Sequence, residues 1–145
     1  MNLKTVSLAA TVVLVIAVSS LLLRHSLFAD GPVFVAVQVL AALLMLWARL
    51  IFGMRSFHAT ANPTEGGIVT KGPYRFLRHP IYAAILYFVW AGVASQASVV
   101  NVLTVVLASA AIAVRIGTEE RLLMERYTEY IDYAARTKRV IPFVV

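Results

Sequence analysis

Residues 33–52 read VFVAVQVLAALLMLWARLIF, a run of 20 residues in which Arg49 is the only charged side chain. An α-helix rises about 1.5 Å per residue, so about 20 apolar residues cross the roughly 30 Å of hydrocarbon in a bilayer. Hydrophobic residues make up 61% of the 145-residue chain and charged residues 14%. Soluble domains have about 45–50% apolar residues and about 25% charged residues. The composition indicates an integral membrane protein and excludes a soluble globular, disordered or fibrous one.

Three further apolar runs accompany this one, at residues 5–23, 81–97 and 98–116. The last two are separated by only a few polar residues, Ser95, Gln96 and Ser98, so we expect them to form a tight helical hairpin. The first run is longer than the ~7–15-residue core of a signal peptide, and we expect it to be retained. We predict one all-α membrane domain over residues 1–145, with four transmembrane helices.

The positive charges predict the orientation of these helices. Of the 13 Lys and Arg residues, 12 fall on one side of the predicted membrane and only Arg24 on the other. The positive-inside rule makes the first side cytoplasmic. We therefore expect a cell (inner) membrane protein with both termini, the loop of residues 53–80 and the tail of residues 118–145 in the cytoplasm. The net charge of +6 then faces anionic lipid, and no nucleic-acid partner is expected.

Spanning the membrane does not explain two segments, the loop of residues 53–80 and the tail. The loop has turn signals at Asn62-Pro63, Gly66-Gly67 and Gly72-Pro73. Loops this long are usually functional or disordered, and its apolar and aromatic residues favour packing over disorder. The sequence therefore predicts a functional loop.

The tail has apolar residues at helical spacing, which predicts one amphipathic helix. Such a helix could lie on the membrane surface or fold back over the loop, and its mixed charges favour folding back. An alternative concerns its start, because Gly117-Thr118-Glu119-Glu120 also has the pattern of a helix restart with an N-cap and an acidic first turn. The residues on the predicted apolar face are Leu123, Tyr127, Tyr130, Ile131 and Ala134.

Polar side chains cluster at two places that the hairpin brings to the same membrane height. One cluster, in residues 72–82, precedes and opens the third run; the other begins with Arg115 at the end of the fourth run and continues beyond it. The sequence therefore predicts one polar site at the cytoplasmic interface. In the alternative interpretation, Arg78, His79 and Pro80 only anchor a helix at the interface, and Arg115 and Glu119 form a simple i, i+4 ion pair. The clusters contain Tyr74, Arg75, Arg78, His79 and Tyr82, and Arg115, Glu119 and Glu120.

Five motifs follow one another over residues 68–142. They are Ile68-Val69-Thr70-Lys71-Gly72-Pro73-Tyr74, Arg78-His79-Pro80-Ile81-Tyr82, Glu119-Glu120-x-x-Leu123, Tyr130-x-x-Tyr133 and Arg139-Val140-Ile141-Pro142. In this order the motifs resemble the isoprenylcysteine carboxyl methyltransferase family, with its relatives among phospholipid N-methyltransferases. The resemblance covers about residues 66–142.

The resemblance implies a membrane methyltransferase that binds S-adenosylmethionine on the cytoplasmic side and methylates a lipophilic acceptor entering from the bilayer. By position, Arg115 would contact the substrate and, with Glu119, form the catalytic pair. Tyr82 and Trp90 are further candidates for the substrate path, although core packing is an alternative for Trp90. The cofactor would be held by Ile68, Val69, Tyr74, Arg78, His79, Pro80, Ile81 and Glu119.

The chemistry of the acceptor separates two versions of this function. A carboxylate is already ionised at pH 7, needs no general base, and would be positioned by a bidentate pair with Arg115. An amine of a phospholipid or small molecule would have to lose a proton, and His79 or Glu120 would be the base. The carboxylate, of the isoprenylcysteine kind, is the expected acceptor.

Two other classes of protein are alternatives to the methyltransferase. One is a membrane reductase of the sterol reductase type, because the C-terminal half of such reductases resembles this family although they use NADPH. A four-helix transporter is disfavoured because no Asp or Glu lies within the four apolar runs. No metal site is expected, because the chain has no cysteine and His25 and His58 lack partners at metal-ligand spacing.

Overall fold

The computed structural model of the chain describes residues 2–53 and 67–141. Within those ranges the backbone is helical, with no strand and one isolated bridge between Leu77 and Lys138. A 3₁₀ turn, Gly72–Arg75, lies between the second and third helices. The five helices are α1 (Leu3–Leu23), α2 (Pro32–Phe52), α3 (Pro80–Ser95), α4 (Val99–Arg126) and α5 (Glu129–Arg136).

Three of these helices, α1, α2 and α4, are long and apolar enough to cross a membrane. They identify the chain as an integral membrane protein, as its composition predicts. Helix α3 is apolar but has only 16 residues, about 24 Å at the usual rise. The all-helical membrane fold is therefore confirmed, whereas a fourth span and a cytoplasmic position of the loop stay predictions.

The helices pack as two antiparallel pairs, α1 against α4 and α2 against α3. Small residues line the first pair: Ala10 and Ala17 of α1 are buried together with Ala108 and Ala111 of α4. Small side chains let two helix backbones approach closely, which is how helices gain contact energy in a bilayer. At one end of the bundle α1 and α3 begin, α2 ends and α4 passes Arg115. This end is called the site end below.

The opposite end of the bundle is held together by the buried side chain of Gln38 in α2. Its Nε2 donates to the carbonyl oxygens of Leu27, at 2.8 Å, and Phe88, at 2.9 Å. Its Oε1 accepts from the backbone N–H of Ala29 at 2.9 Å. One amide thus joins the α1–α2 connection to both α2 and α3.

The structure corrects the predicted start of the tail helix. Helix α4 runs without a break through Gly117 and Thr118 to Arg126. The Thr118 hydroxyl donates to the carbonyl oxygen of Arg115 at 2.9 Å, one turn back, rather than capping a new helix. The restart alternative is therefore wrong, and residues 118–126 extend α4.

The predicted apolar face of the tail is also wrong, because the chain bends at Tyr127 and Thr128 between α4 and α5. A single helical periodicity therefore does not run through the segment. Ile131, assigned to the buried face, is 60% exposed, whereas Tyr130 and Tyr133 are buried.

Gly92 provides a test of the close packing between α3 and the α1–α2 connection. A Cβ there would come within 2.8 Å of the carbonyl oxygen of Ser26 and closer still to that of Leu27. Because backbone cannot move aside cheaply, Gly92→Ala should cost about 1–3 kcal/mol of stability. The measurement is thermal unfolding of the purified protein in one detergent.

Gly117→Ala is the matched control for this substitution. Gly117 is also helical, but nothing lies within 4 Å of an added Cβ. Alanine is favoured over glycine inside a helix by about 0.5–1 kcal/mol, so the control should unfold at the same or a higher temperature. Equal unfolding temperatures for the two variants would contradict the packing described for Gly92.

Candidate functional site

The tail segment (residues 137–141) lies against the chain that leads into α3. The backbone N–H of Arg78 donates to the carbonyl oxygen of Lys138 at 2.6 Å. The N–H of Lys138 donates in turn to the carbonyl oxygen of Phe76 at 3.1 Å. These bonds make the bridge between the two segments and bring the tail segment to the site end.

The Glu120 carboxylate of α4 is the centre of the contacts beneath the tail segment. Its Oε1 accepts from Arg78 Nε at 2.9 Å and lies 3.3 Å from His79 Nε2. Its Oε2 accepts from Arg139 Nη2 at 2.9 Å, and this hydrogen bonding raises the pKa of the Arg139 guanidinium. The Glu120 residue is only 4% exposed. One buried anion therefore joins α4 to the start of α3 and to the tail segment.

Arg78 also fixes the end of α5. Its Nη1 donates to the carbonyl oxygen of Thr137 at 2.8 Å and to that of Ala134. The last carbonyl groups of a helix have no partner within the helix, so an arginine at this position caps it. Arg78 thus connects the position of α5 to the Glu120 carboxylate.

A second group of contacts joins three residues that the sequence assigns to substrate and cofactor. The Tyr82 hydroxyl donates to Glu119 Oε2 at 3.0 Å and accepts from Arg115 Nε at 3.1 Å. Arg115 is 5% exposed, and its Nη1 also lies 3.4 Å from the carbonyl oxygen of Ser7 in α1. Glu119 is half-buried. Arg115 and Glu119 share one face of a continuous helix, and the tyrosine of α3 bridges them.

The two groups are neighbours, because the rings of His79 and Tyr82 lie 5.6 Å apart. Adjacent glutamates therefore have different surroundings: Glu120 contacts the arginines under the tail segment, whereas Glu119 contacts Tyr82. The arrangement combines a buried cation, a half-buried carboxylate and a phenol. It can bind a ligand that has both cationic and anionic groups.

Three buried tyrosines line the same region. Tyr74, in the 3₁₀ turn, has its ring 5.5 Å from Phe52 at the end of α2. Its carbonyl oxygen accepts from the Tyr133 hydroxyl at 2.7 Å, and burial raises the pKa of Tyr133 to about 12. Tyr130 is 2% exposed, and its hydroxyl has no hydrogen-bond partner among the residues that the structure describes.

The remaining predicted site residues are Ile68, Val69, Pro80, Ile81 and Trp90. Pro80 is buried at the first position of α3, and Ile81 follows it, half-buried. Ile68 and Val69 are half-buried in the irregular chain before the 3₁₀ turn. Trp90 lies two turns beyond Tyr82 along α3, about 12 Å by helical rise.

Trp90 is 41% exposed, and its Nε1 donates to the hydroxyl of Ser109 in α4 at 3.1 Å. It therefore joins α3 to α4 outside the polar groups described above. Among residues 2–53 and 67–141, no group of three His, Asp or Glu residues is placed to hold a metal ion. The sequence predictions for His58, Asn62-Pro63, Gly66 and Pro142 lie outside the described residues.

Sequence reasoning missed how Glu120, Arg139 and the two tail tyrosines are used. It named Glu120 as a member of the polar cluster and as a base for an amine acceptor, and it placed Tyr130 on the apolar face of the tail. Arg139 and Tyr133 were quoted within motifs without a role. The available signal was that the motifs carry Arg78, His79 and Arg139 together with a second glutamate, Glu120. Charged groups that become buried need partners of opposite charge. The partners themselves are separated by up to 42 residues, so no local pattern pairs them.

Glu120→Gln tests whether this carboxylate holds the tail segment. The amide keeps the shape of the side chain but leaves Arg78, whose side chain is 11% exposed, without its anion. We expect a loss of about 3 kcal/mol, the low end for breaking a buried pair because half of the Arg139 side chain is exposed. Trypsin should also cleave faster after Lys138, since the tail segment is released. Both changes are measured on the purified protein, by unfolding and by timed proteolysis.

Glu125→Gln is the control, because Glu125 lies on the same helix and is exposed. Its effect should stay within about 0.5 kcal/mol, and tryptic cleavage should be unchanged. If the two variants behave alike, Glu120 does not hold the tail segment.

Comparison with known proteins identifies the family. Residues 31–125, more than half of the chain, match the model of the isoprenylcysteine carboxyl methyltransferase family. A curated relative, the cobalt-zinc-cadmium resistance protein CzcN of Cupriavidus metallidurans, is 29% identical over 140 residues. That alignment covers 90% of this chain and 61% of the relative, so the chain spans about three fifths of the relative's length. No solved structure matches the chain. The chain belongs to the isoprenylcysteine carboxyl methyltransferase family.

Proposed function

We propose that this chain is a membrane methyltransferase that transfers a methyl group from S-adenosylmethionine to the carboxylate of a lipophilic acceptor of the isoprenylcysteine kind. The observation that carries the proposal is the hydrogen-bonded series Arg115–Tyr82–Glu119 at the site end. In this series the buried Arg115 cation, which can pair with an acidic acceptor, lies one helical turn from the half-buried Glu119 carboxylate. Membership of the family supports methyl transfer as the reaction.

The residues present fit the methyl donor. S-adenosylmethionine has a sulfonium, an amino-acid zwitterion, ribose hydroxyls and an adenine, and it needs mixed polar and aromatic surroundings. Glu119 can accept from an ammonium or a ribose hydroxyl, and Tyr74 offers an aromatic face. The buried Tyr130 hydroxyl, without a partner in the described chain, is a further polar group available to a ligand.

Arg78 and His79 would contribute differently from what the family resemblance alone implies. Both contact the Glu120 carboxylate, and Arg78 uses Nε and Nη1 in its hydrogen bonds. Nη2 is therefore the part of this guanidinium that can meet the donor's carboxylate. The residues proposed to hold the donor are Ile68, Val69, Tyr74, Arg78, His79, Pro80, Ile81 and Glu119.

The protein has little covalent chemistry to perform in the methyl transfer. When bound, S-adenosylmethionine supplies an electrophilic methyl group. The attack is an in-line displacement, so the chain contributes alignment and exclusion of water. Arg115 would hold the acceptor carboxylate through two parallel N–H donors, one on Nη1 and one on Nη2. The Tyr82 hydroxyl, which accepts from Nε, would keep the guanidinium oriented. Tyr82 would itself be held by Glu119.

The surroundings of the candidate bases favour a carboxylate acceptor over an amine. An amine has to lose its proton before it attacks, which requires a general base. His79 and Glu120, the two candidates, contact each other, and Glu120 is also bound by two arginines. A carboxylate acceptor needs neither of them.

Arg115→Ala tests the assignment of the acceptor. With radiolabelled S-adenosylmethionine and N-acetyl-S-farnesylcysteine, wild-type protein should form a base-labile methyl ester. The variant should lose about 10- to 100-fold of kcat/KM, the effect of removing a charge-assisted bidentate bond. Arg121→Ala, an exposed arginine of the same helix, should retain the activity.

The acceptor already methylated on its carboxylate is the matched control substrate and should take no label. Labelling of phosphatidylethanolamine instead of the free acid would contradict the carboxylate assignment and indicate an N-methyltransferase. Saturable binding of NADPH without binding of S-adenosylmethionine would contradict the methyltransferase and indicate a reductase.

A further inference from the structure

Tyr130 is the second residue of α5 and is almost completely buried, with 2% of its surface exposed. Its hydroxyl has no hydrogen-bond partner in residues 2–53 and 67–141. Leaving a buried hydroxyl unpaired costs stability, and native proteins pair the large majority of such groups. An unpaired hydroxyl at this position therefore needs an explanation.

The surroundings of Tyr130 belong to the candidate site. Burial raises the pKa of the Tyr130 phenol. The negative charge of Glu120 raises this pKa further, whereas the positive charge of Arg78 lowers it. Glu119 also acts on the phenol. The hydroxyl thus lies within the electrostatic field of the groups that would surround a bound donor.

Tyr133 provides a comparison within the same helix. Its ring is 5.8 Å from that of Tyr130, and it is similarly buried, at 7%. Its hydroxyl, however, donates to the carbonyl oxygen of Tyr74. Two neighbouring tyrosines of one short helix therefore use their hydroxyls differently: that of Tyr133 holds the fold, and that of Tyr130 has no partner among the described residues.

We propose that Tyr130 is a further binding residue, whose hydroxyl forms a hydrogen bond with a polar group of bound S-adenosylmethionine. A phenol can donate and accept, so it suits a carboxylate or a ribose hydroxyl of the ligand. Arg78 holds α5 at Ala134 and Thr137 and so keeps Tyr130 in place. The inference rests on the proposed function, and it assigns to the tail, outside the matched residues 31–125, a direct contact with the donor.

Tyr130→Phe removes only the hydroxyl and is compared with Tyr133→Phe. Two quantities are measured in detergent: the affinity for S-adenosylmethionine by calorimetry, and the unfolding temperature without ligand. We expect Tyr130→Phe to weaken donor binding about three- to tenfold, the effect of one hydrogen bond, without lowering the unfolding temperature. Tyr133→Phe should lower the unfolding temperature, because the Tyr74 carbonyl loses its donor.

Two ligand analogues locate the contact. S-adenosylhomocysteine keeps the amino-acid part, whereas 5′-methylthioadenosine lacks it. If Tyr130→Phe loses affinity only for S-adenosylhomocysteine, the hydroxyl contacts the amino-acid part. If it loses affinity equally for both analogues, the hydroxyl contacts the nucleoside.

Three results would overturn the inference. If wild-type protein and Tyr130→Phe bind the donor equally, the hydroxyl does not meet the ligand, although the proposed function stands. A fall in the unfolding temperature of Tyr130→Phe like that of Tyr133→Phe would show that the hydroxyl already has a partner in the ligand-free protein. Wild-type protein that binds no donor would overturn the proposed function and, with it, this inference.

Discussion

The arrangement at the site end depends on one buried carboxylate, that of Glu120. It accepts hydrogen bonds from arginines on the loop and on the tail and contacts the ring of His79. Removing a partner from such a group leaves a buried charge uncompensated, which is far more costly than losing a surface pair. The Glu120 carboxylate therefore helps to position the tail segment and the start of α3 together, and Arg78 extends this connection to α5.

Helix geometry separates the roles of two adjacent glutamates. Successive residues of an α-helix point about 100° apart, so Glu119 and Glu120 contact different neighbours. Glu120 serves the fold, because arginines surround it. Glu119 contacts Tyr82 and stays half-buried, which leaves it available to a ligand. Because α4 continues through Gly117 and Thr118, the two glutamates keep these different neighbours, and Arg115 lies one helical turn before Glu119.

Much of the fold could be predicted because a bilayer imposes a simple length rule. The runs at residues 5–23 and 33–52 correspond to α1 (Leu3–Leu23) and α2 (Pro32–Phe52) within two residues. The extension of α4 to Arg126 was missed, since its last turns are polar and resemble an interruption. The polar cluster of Arg78, Tyr82, Arg115 and Glu119 followed from an expected antiparallel hairpin. The pairing of Glu120 with Arg139 did not, because tertiary contact alone brings the tail segment there.

The central claim is that the polar groups at the site end bind S-adenosylmethionine. Its most direct test is ultraviolet cross-linking of the radiolabelled methyl donor to the protein in detergent, followed by identification of the labelled peptides. We predict label within residues 67–82 or 119–139, suppressed by excess S-adenosylhomocysteine. Label confined to peptides from the opposite end of the bundle, or label that the competitor does not suppress, would contradict the account.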